Sequence, residues 1–381
     1  MRRTVTFGWW RWLLLTVVTV VATVGLTLLG VPSAALFAAL VVGIVLALCS
    51  LAPARVPRRA GLAAQAVLGV YIGTMVHEDS LAALGPHWPI VATVVVATLL
   101  ISVIAGALMG LQRDVSALTG ALSLVAGGAS GLVAIARELG GDDRVVAVVQ
   151  YLRVGLVTAT MPVVVALVFH PDFSHPVQGP AQSGTAPWYL SLGLIMAIAV
   201  VGVTLGKVVR LPGAGLLGPM AVTVALEVTG NDFGLSVPQA LVQVGYVLIG
   251  WQAGVAFTRE SLRAVGRALP LAIGLITALT VATAGLGVLL SHVSGKTLLE
   301  GYLATSPGGV YAVLATAVET GSDVTFIVAA QVLRILVMLF AAPLMARGLV
   351  AVTKVAARRR GKRGQSREIT ADSKEPIAVA D

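Results

Sequence analysis

Long apolar blocks run through this chain and are interrupted by few charged residues. Two of them, 12–29 and 90–111, are each long enough as a helix to cross the ~30 Å hydrocarbon core of a bilayer. Of the 381 residues, 57% are hydrophobic and 11% are charged, whereas a soluble domain carries about 25% charged residues. The sequence therefore predicts an all-α polytopic membrane protein. The first block has no small-residue cleavage site followed by a polar domain, so we expect a retained span rather than a signal peptide.

The net charge and the cysteine content disfavour other classes of protein. The net charge of +9 arises from 26 Lys and Arg against 17 Asp and Glu. The basic residues lie in short loops and tails, as the positive-inside rule for membrane proteins requires, so we expect no direct nucleic-acid partner. The single cysteine, Cys49, lies in an apolar run and permits no internal disulfide.

The sequence repeats itself at an offset of 181 residues. Between 118–162 and 299–343, 14 of 45 aligned positions are identical without a gap, against roughly four expected by chance in so Ala-, Val-, Leu- and Gly-rich a chain. The identical pairs include Gly127–Gly128 with Gly308–Gly309, Glu138 with Glu319, Asp142 with Asp323, Gln150 with Gln331 and Arg153 with Arg334. Upstream, Gly69 and Gly73 align with Gly250 and Gly254. The chain is thus predicted to consist of two homologous halves.

The charged residues indicate that the two halves have opposite orientations in the membrane. Each half has six apolar elements, and six crossings per half would leave the linker at 173–187, which has no Lys or Arg, inside. If the fifth element of each half enters and returns as a re-entrant hairpin, only Lys296 remains on the wrong side. A glycine pair in that element suits a tight reversal. The sequence therefore predicts two inverted-topology repeats, each with five transmembrane helices and one re-entrant, broken-helix hairpin, as in many secondary transporters.

The same pattern sets the expected domain boundaries. We expect a cytoplasmic N-terminus at 1–8, the first membrane repeat at 9–172, an external linker at 173–187, the second membrane repeat at 188–350 and a disordered basic cytoplasmic tail at 351–381. The protein would be a multi-pass protein of the cell (inner) membrane with both termini in the cytoplasm.

Two arginines mark the candidate site. A hairpin arm of about eleven residues is ~16 Å long as a helix, so both glycine pairs would reach the middle of the bilayer. Arg153 and Arg334 lie at a similar depth in the next span, with Gln150 and Gln331 one helical turn away on the same face. Such an arginine faces the protein interior or a water-filled cavity. Two interpretations stay open: each guanidinium binds carbonyl groups at the end of a broken half-helix, or it also binds an anionic substrate, such as a carboxylate, together with N–H groups of the glycine turn.

The two glycine turns differ in side-chain chemistry. The first reads Ala-Gly-Gly-Ala-Ser-Gly over 126–131, whereas the second adds the hydroxyl groups of Thr305, Ser306 and Tyr311, and the rigid Pro307. We therefore expect the second turn to make the tighter contact. The predicted substrate-binding residues are Arg153, Arg334, Gln150, Gln331, Gly127, Gly128, Ser306, Gly308, Gly309 and Tyr311. Gln243 and Gln252 could also line the site, but a solvated role or a hydrogen bond between helices is favoured for each.

Enzyme and metal chemistry find little support in the sequence. The histidines form no HxH or HxxxH pair, which disfavours a copper or zinc site. The glycines at 127–131 do not match a phosphate-binding loop, and no Ser-His-Asp set follows from the spacing. We expect no catalytic residue, no metal and no cofactor, and thus a protein that is not an enzyme.

The duplicated block GG…E.G.D…Q..R…P resembles the bacterial AbrB-type membrane family, whose members carry a tandem AbrB duplication. The resemblance covers about 30–350. Members are often labelled transcriptional regulators or ammonia monooxygenases, although they differ from the small soluble DNA-binding AbrB domain. The resemblance implies an integral membrane protein, for some members with a role in regulation of gene expression, and it supplies no catalytic residues. The lack of clustered histidines disfavours monooxygenase chemistry.

Taken together, these patterns predict a secondary transporter or exporter of a small anionic solute, working by alternating access at a midplane site between inverted repeats. The alternative is a membrane sensor or regulatory protein that affects gene expression indirectly. The expected partners are the lipid bilayer and a small-molecule solute, for example a carboxylate. A homodimer is left open.

The predicted topology has a direct test. A cysteine introduced at Ser183 should react with a membrane-impermeant thiol reagent from outside, and one at Ser366 only from inside, because the linker and the tail would lie on opposite sides. Labelling of both positions from the same side would contradict the inverted arrangement.

Overall fold

The computed structural model describes most of the chain. The described residues are 8–31, 33–76, 85–112, 115–125, 129–170, 187–211, 213–231 and 233–338, together with 341, 344 and 345. Gly127 and Gly128, nearly all of the predicted linker at 173–187 and the predicted tail at 351–381 lie outside them.

Helices make up nearly all of the regular structure within the described ranges. In chain order they are α1 Trp9–Leu28, α2 Ala34–Leu48, α3 Arg58–Gly73, α4 Trp88–Met109, α5 Ala117–Leu124, α6 Ala129–Glu138, α7 Asp143–Val164, α8 Trp188–Val208, α9 Ala214–Val228, α10 Gln239–Gly254, α11 Arg259–Val265, α12 Leu269–Ser294, α13 Leu298–Thr305, α14 Val310–Glu319 and α15 Val324–Met338. Short 3₁₀ turns at Gly85–His87 and Gly266–Ala268 precede α4 and α12, and a π-helical turn at Val165–Phe169 extends α7.

Five helical segments of the described chain are long and apolar enough to cross a membrane, judged by length and composition. They are Trp9–Leu28, Trp88–Met109, Asp143–Phe169, Trp188–Val208 and Gly266–Ser294. Large apolar side chains on their outer faces are exposed, including Val21 at 67%, Met196 at 69% and Val281 at 68%. Apolar surface of this extent marks a face that meets another apolar phase or partner. The prediction of an all-α protein with several apolar spans is confirmed at this level.

Four shorter helices pack at the centre, where α10 lies against α2 and α9 lies against α3. Glycines allow the backbones to approach closely: a Cβ added at Gly250 would lie 2.5 Å from the carbonyl oxygen of Leu36, and one at Gly69 would lie 2.4 Å from that of Leu216. Gly69 and Gly250 are aligned in the sequence repeat. Each half of the chain therefore contributes the same kind of contact to the other half.

Two pairs of short helices, α5 with α6 and α13 with α14, surround the predicted glycine turns. Ser116 caps α5 by accepting a hydrogen bond from the backbone N–H of Thr119 at 3.1 Å, and Thr297 caps α13 in a reciprocal capping box with Glu300. Ser116 and Thr297 are aligned in the repeat. The first helix of each pair has 8 residues and the second has 10, so the arms are shorter than the predicted eleven.

The close contact between α10 and α2 predicts a steric effect. Gly250→Ala should lower the melting temperature of the detergent-solubilised protein, because the new methyl group would meet backbone atoms of Leu36 and Leu40 that cannot rotate away. Overpacking of this kind costs about 1–3 kcal/mol.

Gly274→Ala is the matched control, because nothing lies within 4 Å of a Cβ placed at that α12 position and alanine favours helix. The control should leave the melting temperature unchanged or slightly raised. Equal melting temperatures for the two variants would contradict the packing described for α10.

Candidate functional site

Two buried glutamines bind the carbonyl groups at the ends of the short helices. Gln150 on α7 donates from Nε2 to the carbonyl oxygens of Leu122 and Val125, both at 2.8 Å. Gln331 on α15 donates from Nε2 to Leu303 at 2.8 Å, and more weakly to Ala304 and Ser306 at 3.3 and 3.4 Å. The last carbonyls of a helix have no partner within the helix, and burial makes an unpaired carbonyl costly. The aligned glutamines satisfy them in both halves.

Two arginines lie next to these glutamines and share the same task. Arg153 donates from Nη1 to the carbonyl oxygen of Leu124 at 3.1 Å, and Arg334 donates from Nη1 to that of Ser306. Their side chains are buried, with 5% and 4% exposure. The Nε atom of each is buried without a hydrogen-bond partner among the described residues. The first of the two interpretations of these arginines is therefore realised, and it leaves donor capacity unused because a guanidinium carries five N–H groups.

An aspartate caps the start of α7 and another caps the start of α15. These caps set where each helix begins, and thus where its glutamine and arginine lie along the helix axis. Asp142 accepts hydrogen bonds from the backbone N–H groups of Arg144 and Val145 at 2.9 and 3.1 Å, and Asp323 accepts one from Phe326 at 3.0 Å. The backbone N–H of Asp142 in turn donates to Thr119 on α5 at 3.0 Å. The α7 helix is thereby anchored to the start of the short helix whose far end Gln150 and Arg153 bind.

The corresponding anchor in the second half uses a different side chain. The backbone N–H of Asp323 donates to Oε1 of Glu300, the capping residue of α13, at 2.8 Å. Thr119 and Glu300 occupy aligned positions of the sequence repeat. A hydroxyl group in one half and a carboxylate in the other thus accept the same backbone hydrogen bond.

A cavity of about 350 Å³ lies beside the arginines. Arg153, Arg334, Gln150 and Tyr311 form part of its lining, and most of the remaining wall is apolar, with side chains from α2, α9 and α10 such as Leu36, Leu216 and Ile249. No acidic side chain occurs among the described residues that line it. The cavity therefore combines two guanidinium groups with apolar walls.

The second glycine turn forms one edge of this cavity and packs against α7. The backbone N–H of Gly309 donates to the hydroxyl oxygen of Thr158 at 3.4 Å. A Cβ added at Gly309 would lie 3.3 Å from both the Thr158 hydroxyl and the Val154 side chain. The turn from the second half of the chain thus lies directly on the helix of the first half that carries Arg153.

The cavity brings together six of the ten predicted binding residues: Arg153, Arg334, Gln150, Gly308, Gly309 and Tyr311. Gln331 and Ser306 are not among its lining residues. Ser306 directly follows α13, and Gln331 packs against that end of α13 from α15, so both are buried in the carbonyl contacts described above. Gly127 and Gly128 lie outside the described residues.

Sequence reasoning missed three polar lining residues: Gln65, Tyr151 and Thr158. Gln65 is a polar residue in the otherwise apolar stretch 60–70 of α3, which is the one signal that points to it. Gln252, which was expected to join helices, also lines the cavity, whereas Gln243 borders a second cavity between α1 and α10.

Comparisons with known proteins place the chain among bacterial relatives. The family described as "Transition state regulatory protein AbrB" matches residues 35–350. A protein of Escherichia coli (strain K12) named "Putative regulator AbrB" is 33% identical over 341 residues, which cover 88% of this chain and 96% of the relative. "Uncharacterized protein YhjN" of Bacillus subtilis (strain 168) is 26% identical over 294 residues, which cover 73% of this chain and 76% of the relative.

The glutamine contacts predict a stability effect at a position outside the cavity. Gln331→Leu should destabilise the protein by about 1–3 kcal/mol, because it leaves buried carbonyl groups at the end of α13 without this donor. Thermal unfolding in detergent, followed by loss of the monodisperse elution peak, measures the effect. Gln252→Leu is the control, since Gln252 is exposed, and it should have little effect. If Gln252→Leu destabilised the protein as much as Gln331→Leu, loss of the carbonyl contacts would not be the cause.

Proposed function

We propose that this chain, which belongs to the AbrB family, is a secondary transporter or exporter of a small anionic solute. The observation that carries the proposal is the cavity lined by Arg153 and Arg334 without an acidic partner among its described lining residues. A buried charge is costly to keep unless something pairs with it. A solute that brings a negative charge would supply the missing partner and use the free donors of both guanidinium groups. The proposed transport involves no covalent reaction, and we propose no enzymatic activity.

The proposed setting is the cell membrane, crossed several times. The five long apolar segments and their exposed outer faces support this placement. Basic residues follow or precede the helix ends that would face the cytoplasm, as at Arg58, Lys207 and Arg259. On this arrangement both termini lie in the cytoplasm.

We propose that the shorter helices complete ten crossings and that α5–α6 and α13–α14 are the two re-entrant hairpins. An 8-residue arm is ~12 Å long as a helix, less than half of the ~30 Å hydrocarbon thickness. The aligned caps, glutamine contacts and glycine contacts of the two halves support a common architecture. An odd number of crossings per half then makes the repeats inverted.

Alternating access is the proposed mechanism because both halves form the cavity. The wall contains Leu36 and Arg153 from the first half, and Leu216, Gly309 and Arg334 from the second. Rocking of one half against the other would expose such a site first to one side of the membrane and then to the other.

The apolar walls narrow the class of solute. Most of the lining beyond the arginines is apolar and includes Leu36, Leu216, Leu217 and Ile249. A carboxylate that carries an apolar body matches this division better than a fully polar anion, because binding sites pair a few polar anchors with an apolar lining.

A regulatory role is the second candidate function, and the name of the Escherichia coli relative, "Putative regulator AbrB", is the observation that favours it. On this alternative the protein binds a metabolite at the same cavity and affects gene expression indirectly. Uptake of a radiolabelled anion into proteoliposomes distinguishes the two: flux supports the transporter, and saturable binding without flux supports the sensor.

Substitution of the arginines tests the proposed site. Arg334→Gln should abolish solute binding and flux, because it removes one of the two positive charges of the cavity. Arg153→Gln should weaken function less, since Arg334 lies beside the turn that carries Gly308, Gly309 and Tyr311. Arg334→Lys should not restore function, because a point charge cannot replace a planar fork that grips a carboxylate at two positions. Flux of benzoate into proteoliposomes is the measurement.

Monodisperse elution of each variant from size-exclusion chromatography is the control for folding, because each arginine also binds a buried carbonyl. Full flux through well-folded Arg334→Gln would contradict the proposed site.

A further inference from the structure

A carboxylate fastens one end of the second short-helix pair to the start of α2. Glu319, the last residue of α14, accepts a hydrogen bond at Oε2 from the backbone N–H of Ser33, which directly precedes α2. Ser33 is 1% exposed. The other end of α14 borders the arginine cavity at Val310 and Tyr311, and α2 supplies Leu36 to its wall. The contact therefore holds two walls of the cavity together at the Glu319 side.

The aligned position in the other half has the same local structure. Ser33 and Gly213 each have a left-handed backbone, with φ of 51° and 67°, and each precedes a 15-residue helix, α2 or α9. Glu138 ends α6 as Glu319 ends α14. Glu138 matches Glu319 at the offset of 181 residues. When the offset is shortened by one residue, so that the preceding prolines align, Ser33 matches Gly213.

The contact itself differs between the halves. Glu138 and Gly213 are both exposed, and a Cβ placed at Gly213 would have nothing within 4 Å. Gly213 also lines the arginine cavity. The carboxylate of Glu319 thus contacts the start of α2, whereas the equivalent place at Gly213 is exposed.

We infer that Glu319 and Glu138 are alternating latches, each of which closes one side of the arginine cavity by accepting a hydrogen bond from the residue that precedes a central helix. In this structure Glu319 holds Ser33. In the opposite state Glu138 accepts the hydrogen bond from Gly213, and Glu319 leaves Ser33. This inference rests on the proposed transport function and names the residues that stabilise its two end states.

The chemistry of the two contacts suits such an exchange. A carboxylate is a strong acceptor for the N–H groups at a helix start and is favoured there by the helix dipole. Because each state would contain one such contact, the free energies of the two states stay close. Only a small difference in free energy between two states allows a bound solute to shift their populations.

Thiol accessibility tests the latches in a Cys49→Ser background. In separate proteins, Ser33→Cys reports the side that Glu319 closes and Gly213→Cys reports the other side. Both keep the backbone N–H, and Ser33 shows that a residue with a side chain is accepted in this backbone conformation. The probe is a membrane-impermeant maleimide, applied to right-side-out vesicles for Ser33→Cys and to inside-out vesicles for Gly213→Cys.

The two glutamates should have opposite effects. Glu319→Gln weakens the first latch, so the reactivity at position 33 should rise and that at position 213 should fall, each by about fivefold for the loss of charge in one hydrogen bond. Glu138→Gln should lower the reactivity at position 33 and raise that at position 213. Each variant is the matched control for the other, because the two residues are aligned in the repeat.

Parallel changes in both variants, or no change in either, would overturn the latches, because a structural role alone loosens the protein in one direction. Anion flux through the Cys49→Ser protein is measured in the same preparation. If anion flux occurs but the two variants do not change the thiol reactivities in opposite directions, the latches are overturned and the proposed transport function is retained. Opposite shifts without flux support the latch contacts and count against transport.

Discussion

Carbonyl groups at the end of an interrupted helix need donors when the interruption is buried. In this chain, α5 and α13 end inside the protein, and a glutamine and an arginine on α7 or on α15 donate to the carbonyls at those ends. These donors stabilise the helix interruptions, because a buried carbonyl group without a partner is costly. The positions of the cavity, of the second glycine turn and of the unused guanidinium donors all follow from that pairing.

One arrangement of each arginine therefore serves both its structural role and its proposed functional role. One N–H group of Arg153 binds the protein, while its Nε finds no partner among the described residues, and Arg334 repeats the pattern. A lysine or a glutamine could satisfy one carbonyl, but neither would also present a planar set of donors to a cavity. In the proposed function, a ligand would use the remaining donors of both arginines.

The sequence predicted the apolar helices and the glutamine–arginine pairs, because each depends on residues close together in the chain. That the second turn makes the tighter contact with a solute stays a prediction. The sequence did not predict that Gly309 packs on Thr158 or that Glu319 binds Ser33, since those contacts join positions 151 and 286 residues apart. Periodicity identifies the apolar face of a helix, but not the helix that covers it. Ser306 and Gln331 were predicted to line the cavity for the same reason. Their spacing placed them near the other site residues, and only the packing of α13 shows that they are buried away from the cavity.

The differences between the halves matter as much as their similarity. In the proposed transporter, identical halves would make the two end states equal in free energy, so the side that is open at rest must be set by residues that differ. Such residues lie at the contacts described here: Ser33 against Gly213 at the helix starts, and Thr119 against Glu300 at the base of the short-helix pairs. Glycine at 213 gives the open side a more flexible helix start than serine gives the closed side. In the proposed exchange, ordering that start would cost more conformational entropy than ordering the start at Ser33, so closure at Ser33 would be favoured over closure at Gly213.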